Sequence, residues 1–212
     1  MKKKILIIIK IFLIIIVIVK LYYFVMFEII NRKIEDFEYE FNRYYCVSID
    51  KSQKKAYIEE LFFCNNIAKY SIFNNGKNIY YEWKDFNKQK KYSINHLSME
   101  MLQEDYLTIE NKNTLYNLPS LFYNENVLKN IFKIHYIIPT TYNETKAFKI
   151  VTASEEIIID ANTFLPVHII KKNYNSNNNL ENCIEYNYEF EVGTVTDEDV
   201  ALPDLSEYKI IE

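Results

Sequence analysis

The side chains that could do chemistry in this chain are few and widely spaced. His96, His135 and His168 each stand alone, with no second histidine or carboxylate at metal-ligand spacing. Each is therefore more typical of a strand or a helix end than of a catalytic site. We predict no catalytic residues and no metal site.

Two groups of carboxylates could bind a cation or share acid–base work. Asp197, Glu198 and Asp199 precede an apolar pair, a pattern typical of a solvated turn or a helix start rather than of a calcium site. Glu155 and Glu156 stand at the entrance to a predicted strand, with no partner for paired acid–base catalysis. Neither group predicts a reaction.

The three cysteines, Cys46, Cys64 and Cys183, are odd in number and lack zinc-ligand spacing. Two interpretations stay open. They are buried free thiols in strands, which we favour, or Cys46 and Cys64 form a bridge across neighbouring strands in an oxidising compartment.

Glycine is scarce, with Gly76 and Gly193 the only two in 212 residues. Walker and Rossmann phosphate loops and the nucleophile elbow of hydrolases need several glycines close together, so that backbone groups can approach the ligand. The sequence therefore excludes these nucleotide-binding and hydrolase motifs, and we predict no cofactor and no nucleotide.

Charge argues against a nucleic-acid partner. Five of the 25 basic residues and none of the 29 acidic residues precede Glu28, so the chain from Glu28 onward carries a net charge of −9. Nucleic acids and anionic lipid headgroups both bind clustered lysines and arginines. We predict neither nucleic-acid binding nor a basic patch that adheres to headgroups.

The elements that would position any site begin with an apolar run over residues 5–27, preceded by three lysines. As a helix this run is about 34 Å long, enough to cross a hydrocarbon core of about 30 Å. Lys10 and Lys20 would each cost about 2.5–3.5 kcal/mol at mid-bilayer. Eighteen Ile, Leu, Val and Phe residues outweigh that cost, because the two lysines can reach opposite interfaces. We predict a transmembrane segment.

A cleavable secretory signal also has a basic start and an apolar core. No pair of small residues typical of a cleavage site follows the core, so we favour an uncleaved signal anchor. The positive-inside rule keeps residues 1–4 in the cytoplasm, although Arg32 and Lys33 weaken this bias. We therefore predict a single-pass protein of the cell membrane with an extracytoplasmic C-terminal domain.

Residues 28–44 have the period of a juxtamembrane amphipathic helix. Its apolar stripe consists of Ile30, Ile34, Phe37, Phe41 and Tyr44. This helix could continue the anchor as a stalk or pack on the domain, and the aromatic content of the stripe favours packing. The remaining residues 45–212 suit one β-rich domain.

From Tyr45 onward, short aromatic and β-branched runs alternate with polar turns, which predicts strands. Strands are predicted over residues 45–49, 56–64, 68–73, 78–84, 91–94, 132–138, 147–152, 156–160, 165–171 and 183–192. Asn75 and Gly76 predict a tight hairpin turn. Residues 96–107 and 120–132 break the strand pattern as a helical insertion. The order predicts an α+β fold, an antiparallel half-barrel preceded by a transmembrane helix.

Residues 157–170 resemble the strand–turn–strand unit of bacterial lipoprotein-carrier-like (LolA-like) proteins, with its D-x-x-T-x-x-P turn. The alternating strand that ends at Val192 and residues 196–208 resemble the closing part of surface-attached relatives. Phe164 stands where the turn usually has glycine, and this predicts an ordinary, negative φ at that position.

The resemblance implies a curved antiparallel sheet with helices on its concave face, enclosing an apolar cavity for acyl chains or other lipid-like ligands. Aromatic residues make up 16% of the chain. This surplus suits a ligand cavity, and it equally suits a proteome rich in Ile, Asn, Lys and Tyr. The candidate cavity residues are Ile134, Tyr136, Phe148, Ile150, Tyr186, Tyr188 and Phe190.

Three functions are compatible with these features. We favour a non-enzymatic, membrane-anchored extracytoplasmic module that binds a lipid, a lipoprotein or another apolar ligand. The alternative is an envelope signalling or scaffold ectodomain that acts through contacts with a membrane-protein partner. An enzyme of unrecognised type is least favoured, because the chain has few glycines and histidines and no assembled catalytic motif.

Overall fold

The described part of the chain folds as one long helix followed by a twelve-stranded sheet, with a short helix between the sixth and seventh strands. The computed structural model describes residues 2–37, 42–105, 127–176 and 179–211. The elements are α1 (Lys2–Phe37), β1 (Asn42–Asp50), β2 (Lys55–Cys64), β3 (Ile67–Asn74), β4 (Lys77–Asp85), β5 (Lys90–Asn95), β6 (Glu100–Glu104), α2 (Val127–Lys133), β7 (Tyr136–Tyr142), β8 (Thr145–Val151), β9 (Glu155–Asp160), β10 (Pro166–Tyr174), β11 (Leu180–Val192) and β12 (Lys209–Ile211).

The strand order in the sheet is β12-β6-β5-β4-β3-β2-β1-β11-β10-β9-β8-β7. Neighbouring strands are antiparallel except β12, which pairs with β6 in parallel. The first and last strand groups meet where β1 pairs with β11 over the whole length of β1. The sheet is open and curved, which confirms the predicted α+β fold with an N-terminal apolar helix.

Local turn chemistry forms the hairpins. In the β3–β4 turn, Asn75 and Gly76 have φ values of 50° and 75°, as a type I′ turn requires. The β7–β8 turn uses Asn143 and Glu144, with φ values of 46° and 66°. Because the chain has so few glycines, nine residues with side chains have a positive φ in the described part of the chain, and four of them are asparagines.

The D-x-x-T-x-x-P segment forms the β9–β10 turn. Asp160 Oδ1 accepts hydrogen bonds from the backbone N–H groups of Asn162 (2.9 Å) and Thr163 (2.8 Å). The predicted negative φ at Phe164 was wrong, because its φ is 59°. A left-handed residue of this type costs about 1–2 kcal/mol. The N–H of Phe164 bonds to the Asp160 carbonyl (3.0 Å) and its ring stacks on Phe148 at 6.1 Å, which offsets that cost.

Helix α1 is continuous from the predicted anchor into the domain, so residues 28–37 do not form a separate element. The side chains of residues 5–19 are exposed, whereas Tyr23, Phe27 and Ile30 are buried against the sheet. The prediction that the stripe packs on the domain is confirmed for Ile30 and Ile34. The helical assignment of Tyr44 was wrong, because Tyr44 lies in β1, and Phe41 lies outside the described residues.

The predicted helical insertion is half right. Residues 96–107 contain β6 instead, because Met101 pairs beside Ile94 and packs into a cluster with Tyr81 and Trp83. Helix α2 lies at the end of the second predicted segment, and residues 120–126 of that segment lie outside the described part of the chain.

The described residues form three clusters of buried apolar side chains, and the two largest lie on opposite faces of the sheet. The larger core lies on the face that α1 covers, which we call the helix-facing face; it includes Tyr44, Ile157 and Ile169. The smaller core lies on the outer face of β4–β6, where Trp83 and Met101 pack beneath residues 205–208. Strand β11 alternates as predicted between these faces, with Tyr186 and Tyr188 buried and Glu189 and Glu191 exposed.

Candidate functional site

The seven candidate cavity residues do not all come together. Ile134, Ile150, Tyr186 and Tyr188 are buried in the larger core, and Phe148 and Phe190 pack against it. Tyr136 is 41% exposed on β7, the edge strand, and lies outside this core. Sequence reasoning therefore found the interior of the helix-facing face but misplaced one residue in it.

Helix α1 occupies the space in front of these residues. Tyr23, Met26, Phe27, Ile30 and Ile34 belong to the same buried cluster as the candidate residues of the sheet. Phe27 and Ile30 are fully buried. The position that the resemblance assigns to an acyl chain is thus filled by apolar side chains of the protein's own helix.

A set of ionisable side chains lies within this apolar interior. Glu59 is 5% exposed, and Tyr70 donates a hydrogen bond to its Oε2 at 2.8 Å. The Nζ of Lys171 lies 5.0 Å from the centre of the Tyr186 ring. Burial lowers the pKa of Lys171, while Glu155, Cys46 and Glu59 oppose that shift. Opposite charges thus share the interior, an arrangement that is costly to break by removing one partner.

The setting of Cys46 disfavours a reactive thiolate. Burial raises the pKa of its thiol to about 12, and the charge of Glu59 acts in the same direction. Burial also raises the pKa of Cys64 to about 11, with a contribution from Asp197. Nucleophilic cysteines need a lowered pKa and access to solvent. Both thiols therefore lack the features of nucleophilic cysteines.

All three cysteines are free. Cys46 lies on the helix-facing face, whereas Cys64 packs on the other side with Val195 and Val200. A Cys46–Cys64 bridge does not fit this arrangement, because the sheet separates the two thiols. The free-thiol interpretation is the one that the structure supports.

A second charged network covers the helix-facing face of β4–β6. Glu82, 7% exposed, lies 2.7 Å from the Nζ of Lys84 and 3.5 Å from that of Lys91. Lys91 also pairs with Glu104 at 2.9 Å, and the Tyr80 hydroxyl donates to Glu82 at 3.1 Å. This network makes one end of the face polar, and the apolar interior lies mainly over β1–β3 and β7–β11.

The predicted carboxylate groups are held by structural contacts. Asp199 accepts hydrogen bonds from the N–H and hydroxyl of Thr196, both at 2.8 Å, in a turn. Asp197 accepts one from the Asn65 amide at 2.6 Å. Glu156 lies 2.6 Å from Lys149 and also pairs with Lys172, and these two bonds lower its pKa to about 2. Among the described residues, no group of three His, Cys, Asp or Glu could hold a metal ion.

An open groove of about 400 Å³ lies beside the β7–β8 turn. Its lining is part aromatic and part polar: Tyr45, Val47, Tyr142, Asn143, Thr145, Val167, Asn187, Tyr188 and Glu189. We call it the outer groove, because Tyr45 and Val47 alternate with the buried Tyr44 and Cys46 of β1. Tyr188 borders the groove from β11, although its side chain is buried in the larger core. Sequence reasoning did not find this groove.

Three side chains fix one wall of the outer groove. The rings of Tyr142 and His168 stack with their centres 5.3 Å apart. Asn187 Oδ1 accepts a hydrogen bond from the Tyr142 hydroxyl at 3.3 Å and lies 2.8 Å from His168 Nδ1. The residues come from β7, β10 and β11, so no local sequence pattern could have predicted their contact. His168 acts here as a support for a tyrosine ring.

Lys20 contacts the far end of α2. Its Nζ donates hydrogen bonds to the carbonyls of Ile131 and Ile134, both at 3.1 Å. It also lies 5.3 Å from the Tyr23 ring centre and 5.6 Å from that of Phe132. A cation at a helix C-terminus is favourable, because the last carbonyls are partly negative.

A second, smaller groove of about 240 Å³ runs between Phe132 and residues 152–155.

Comparisons with known proteins bear on the fold alone. No protein-family model and no curated protein matches the chain. An uncharacterised conserved protein from Thermus thermophilus is similar in structure, with a TM-score of 0.53 and 9% identity over 87% of this chain and 97% of that chain. This similarity supports a shared architecture.

Two structures of a bacterial complex also align, at lower scores. The MucA/MucB complex of Pseudomonas aeruginosa gives a TM-score of 0.45 and 9% identity over 86% of this chain and 63% of that chain. MucB in complex with MucA(peri) gives 0.46 and 10% over 87% and 61%. The chain thus spans about three fifths of the length of these chains. Scores this low do not establish a common fold.

Proposed function

We propose that this protein is a single-pass, non-enzymatic module of the cell membrane whose extracytoplasmic domain holds a partner protein through the outer groove. The main support for this proposal is that side chains of α1 fill the apolar interior, whereas the outer groove is open. A segment of a partner chain could lie between Tyr45 and Tyr142, with Asn187 and Glu189 as polar contacts. Aromatic side chains beside a few polar groups are typical of binding surfaces.

The membrane anchor of this proposal is the exposed first half of α1. In the part of the chain that the structure describes, one helix, Lys4–Ile34, is long and apolar enough to span a bilayer, and its most apolar stretch is not buried in the domain. The three lysines before residue 5 favour a cytoplasmic N-terminus. A reporter fused after Asn31 would test the orientation, and a cytoplasmic reporter would overturn it.

Three observations support the absence of catalysis. The pKa values of Cys46 and Cys64 are raised, so neither is a ready nucleophile. His168 is committed to a stack with Tyr142 and a contact with Asn187. Glu156 is neutralised by two lysines, so it is a poor candidate for a general acid.

The test places a photo-crosslinking amino acid at Thr145, an exposed residue of the outer groove. We expect one discrete protein adduct in native membranes. The matched control is the same amino acid at Asn162, in a turn outside the groove. Tyr45→Ser should reduce the Thr145 adduct at least five-fold without unfolding the domain. Equal adducts at both positions, or no effect of Tyr45→Ser, would overturn the proposal.

A lipid ligand is the second candidate, supported by the aromatic character of the interior and by the resemblance to LolA-like proteins. Tyr186 and Tyr188 stack there with their ring centres 6.2 Å apart. Native mass spectrometry of the full chain, released from detergent, separates the candidates. A stoichiometric lipid that is retained by the native chain and lost in Tyr186→Ala would favour the lipid function. The absence of a stoichiometric lipid would favour the binding of a partner protein.

A further inference from the structure

We propose that the end of α2 and the start of β7 rest in the interface of the bilayer that α1 crosses, so that the domain sits directly on the membrane surface. This proposal rests on the spanning role of α1 in the proposed function. It goes beyond that function by stating how deep the domain lies relative to the membrane and which of its residues contact lipid. The partner of this surface is zwitterionic lipid, bound through apolar and aromatic side chains rather than through charge.

The length of α1 before the domain begins is the first argument. Lys4 and Lys20 are 16 positions apart, so about 24 Å of helix separates them. A hydrocarbon core is about 30 Å thick. With Lys4 at one boundary, the backbone of Lys20 lies about 6 Å short of the other boundary, and any tilt of the helix draws it deeper.

The contacts of Lys20 are the second argument. A lysine at that depth normally extends its chain towards the headgroups. Lys20 instead donates to the Ile131 and Ile134 carbonyls at 3.1 Å. The end of α2 must therefore lie at the depth that the Lys20 ammonium reaches, which is the boundary itself. The carbonyls replace water as partners for the charge where water is scarce.

The side chains around this point are suited to that environment. Phe132 lies beside Lys20 and is 74% exposed, and along the chain Tyr136 and Ile138 are 41% and 45% exposed. On α1, the side of the helix that turns away from the sheet carries Leu21, Phe24 and Val25, which are also exposed. Tyrosine is enriched at membrane interfaces, and phenylalanine and isoleucine transfer favourably into the bilayer. Exposed apolar side chains thus occur on α1, at the end of α2 and on β7.

A competing occupant is a protein that adds a strand to β7. Strand β7 is an edge strand, but Pro139 interrupts its hydrogen-bonding groups, as is common at protected edges. Pairing with another strand is therefore less suited to this edge than contact with lipid. The experiment below uses liposomes without other proteins, so that only lipid can supply the contact.

The experiment measures depth with an environment-sensitive fluorophore on single cysteines. Cys46 and Cys64 are buried, and Cys183→Ser removes the partly exposed thiol. The full chain carries the label at Phe132→Cys, in phosphatidylcholine liposomes with spin-labelled lipid. Leu97→Cys is the matched control, because Leu97 is also apolar and 76% exposed but lies in the β5–β6 turn.

We expect spin-labelled lipid to quench the label at position 132 at least two-fold and to leave the label at 97 unchanged, at low and at high salt. A label at Ile14→Cys, in the middle of the exposed helix, reports on the span itself. If the label at position 14 is quenched and the label at 132 behaves like the label at 97, contact of α2 and β7 with the bilayer is refuted, while the spanning role of α1 is retained. If position 14 is not quenched either, the spanning role in the proposed function fails with it. Quenching at 132 that high salt abolishes would refute an apolar contact.

Discussion

Replacing Phe27 by alanine should weaken the packing of α1 on the sheet. Phe27 is fully buried in the larger core, so its ring has no route to solvent or lipid. Truncating a buried phenylalanine costs about 3–5 kcal/mol, from lost transfer energy and from the cavity left behind. Domains of this size are stable by about 5–15 kcal/mol. The substitution should therefore remove about a fifth or more of the free energy of unfolding.

The chain supplies a matched control and a probe. Phe24 lies less than one turn away on the same helix but is 37% exposed, so Phe24→Ala should cost about 1 kcal/mol or less. Trp83, the only tryptophan, is 5% exposed in the smaller core on the opposite face. Its fluorescence during urea unfolding of the full chain in detergent reports on the sheet rather than on the mutated site. Equal destabilisation by the two variants would refute the packing of α1 described above.

Three further outcomes test other parts of the structure. Stability should fall by about 1 kcal/mol as the pH drops from near 4.5 towards 2, because the pKa of Glu156 is depressed to about 2 and protonation breaks its two lysine pairs; Glu156→Gln should lose that dependence in acid-unfolding curves. Glu144→Gly should raise stability by about 0.5–1 kcal/mol in the same urea assay, because its φ is 66°. Cys183 should react with a soluble maleimide at pH 8 at least ten-fold faster than the two buried cysteines, as measured by peptide mass spectrometry.

Each of these outcomes has a contrary result. A Glu156→Gln protein with an unchanged acid transition would show that other carboxylates govern it. Asn162→Gly, at a turn position without a positive φ, should destabilise the protein, and a gain there equal to that of Glu144→Gly would argue against strain relief. Protection of Cys46 and Cys64 that disappears with a reductant alone would indicate a disulfide.

The hairpins could be predicted because their causes are local. Asn75 and Gly76 tolerate a positive φ, and the strands on either side alternate apolar and polar residues over short distances. Phe164 shows the limit of such rules. Residue type predicts a negative φ there, but the hydrogen bonds of the turn and the stack on Phe148 stabilise the left-handed conformation.

The misplaced cavity residue has a different cause. The sequence predicts a strand over residues 132–138, with Ile134 and Tyr136 on one face. The strand begins at Tyr136, and Ile137 is the residue that points to the core. Because side chains alternate, a shift of one residue moves every side chain to the other face. In an apolar run such as this one, the sequence alone does not show which alternate residues point to the core.

The remaining differences concern contacts between distant parts of the chain. Residues 23–27 are as apolar as the residues before them, so composition cannot separate lipid contact from burial in a core. Lys20 and Ile131 are 111 positions apart, so no local sequence pattern predicts their hydrogen bond. The outer groove likewise draws on β1, β7 and β11, which only the sheet order brings together.

The unbroken course of α1 also limits how far the domain can reach. A helix that is packed on the sheet from Tyr23 onward cannot act as a tether, so the domain does not swing away from the bilayer. A domain of about 185 residues has a radius of gyration of about 16 Å and is about 40 Å across. The outer groove therefore stays within about 40 Å of the lipid surface. Only molecules that come that close can bind in the groove, so its partners are limited to molecules near the membrane, whatever their affinity.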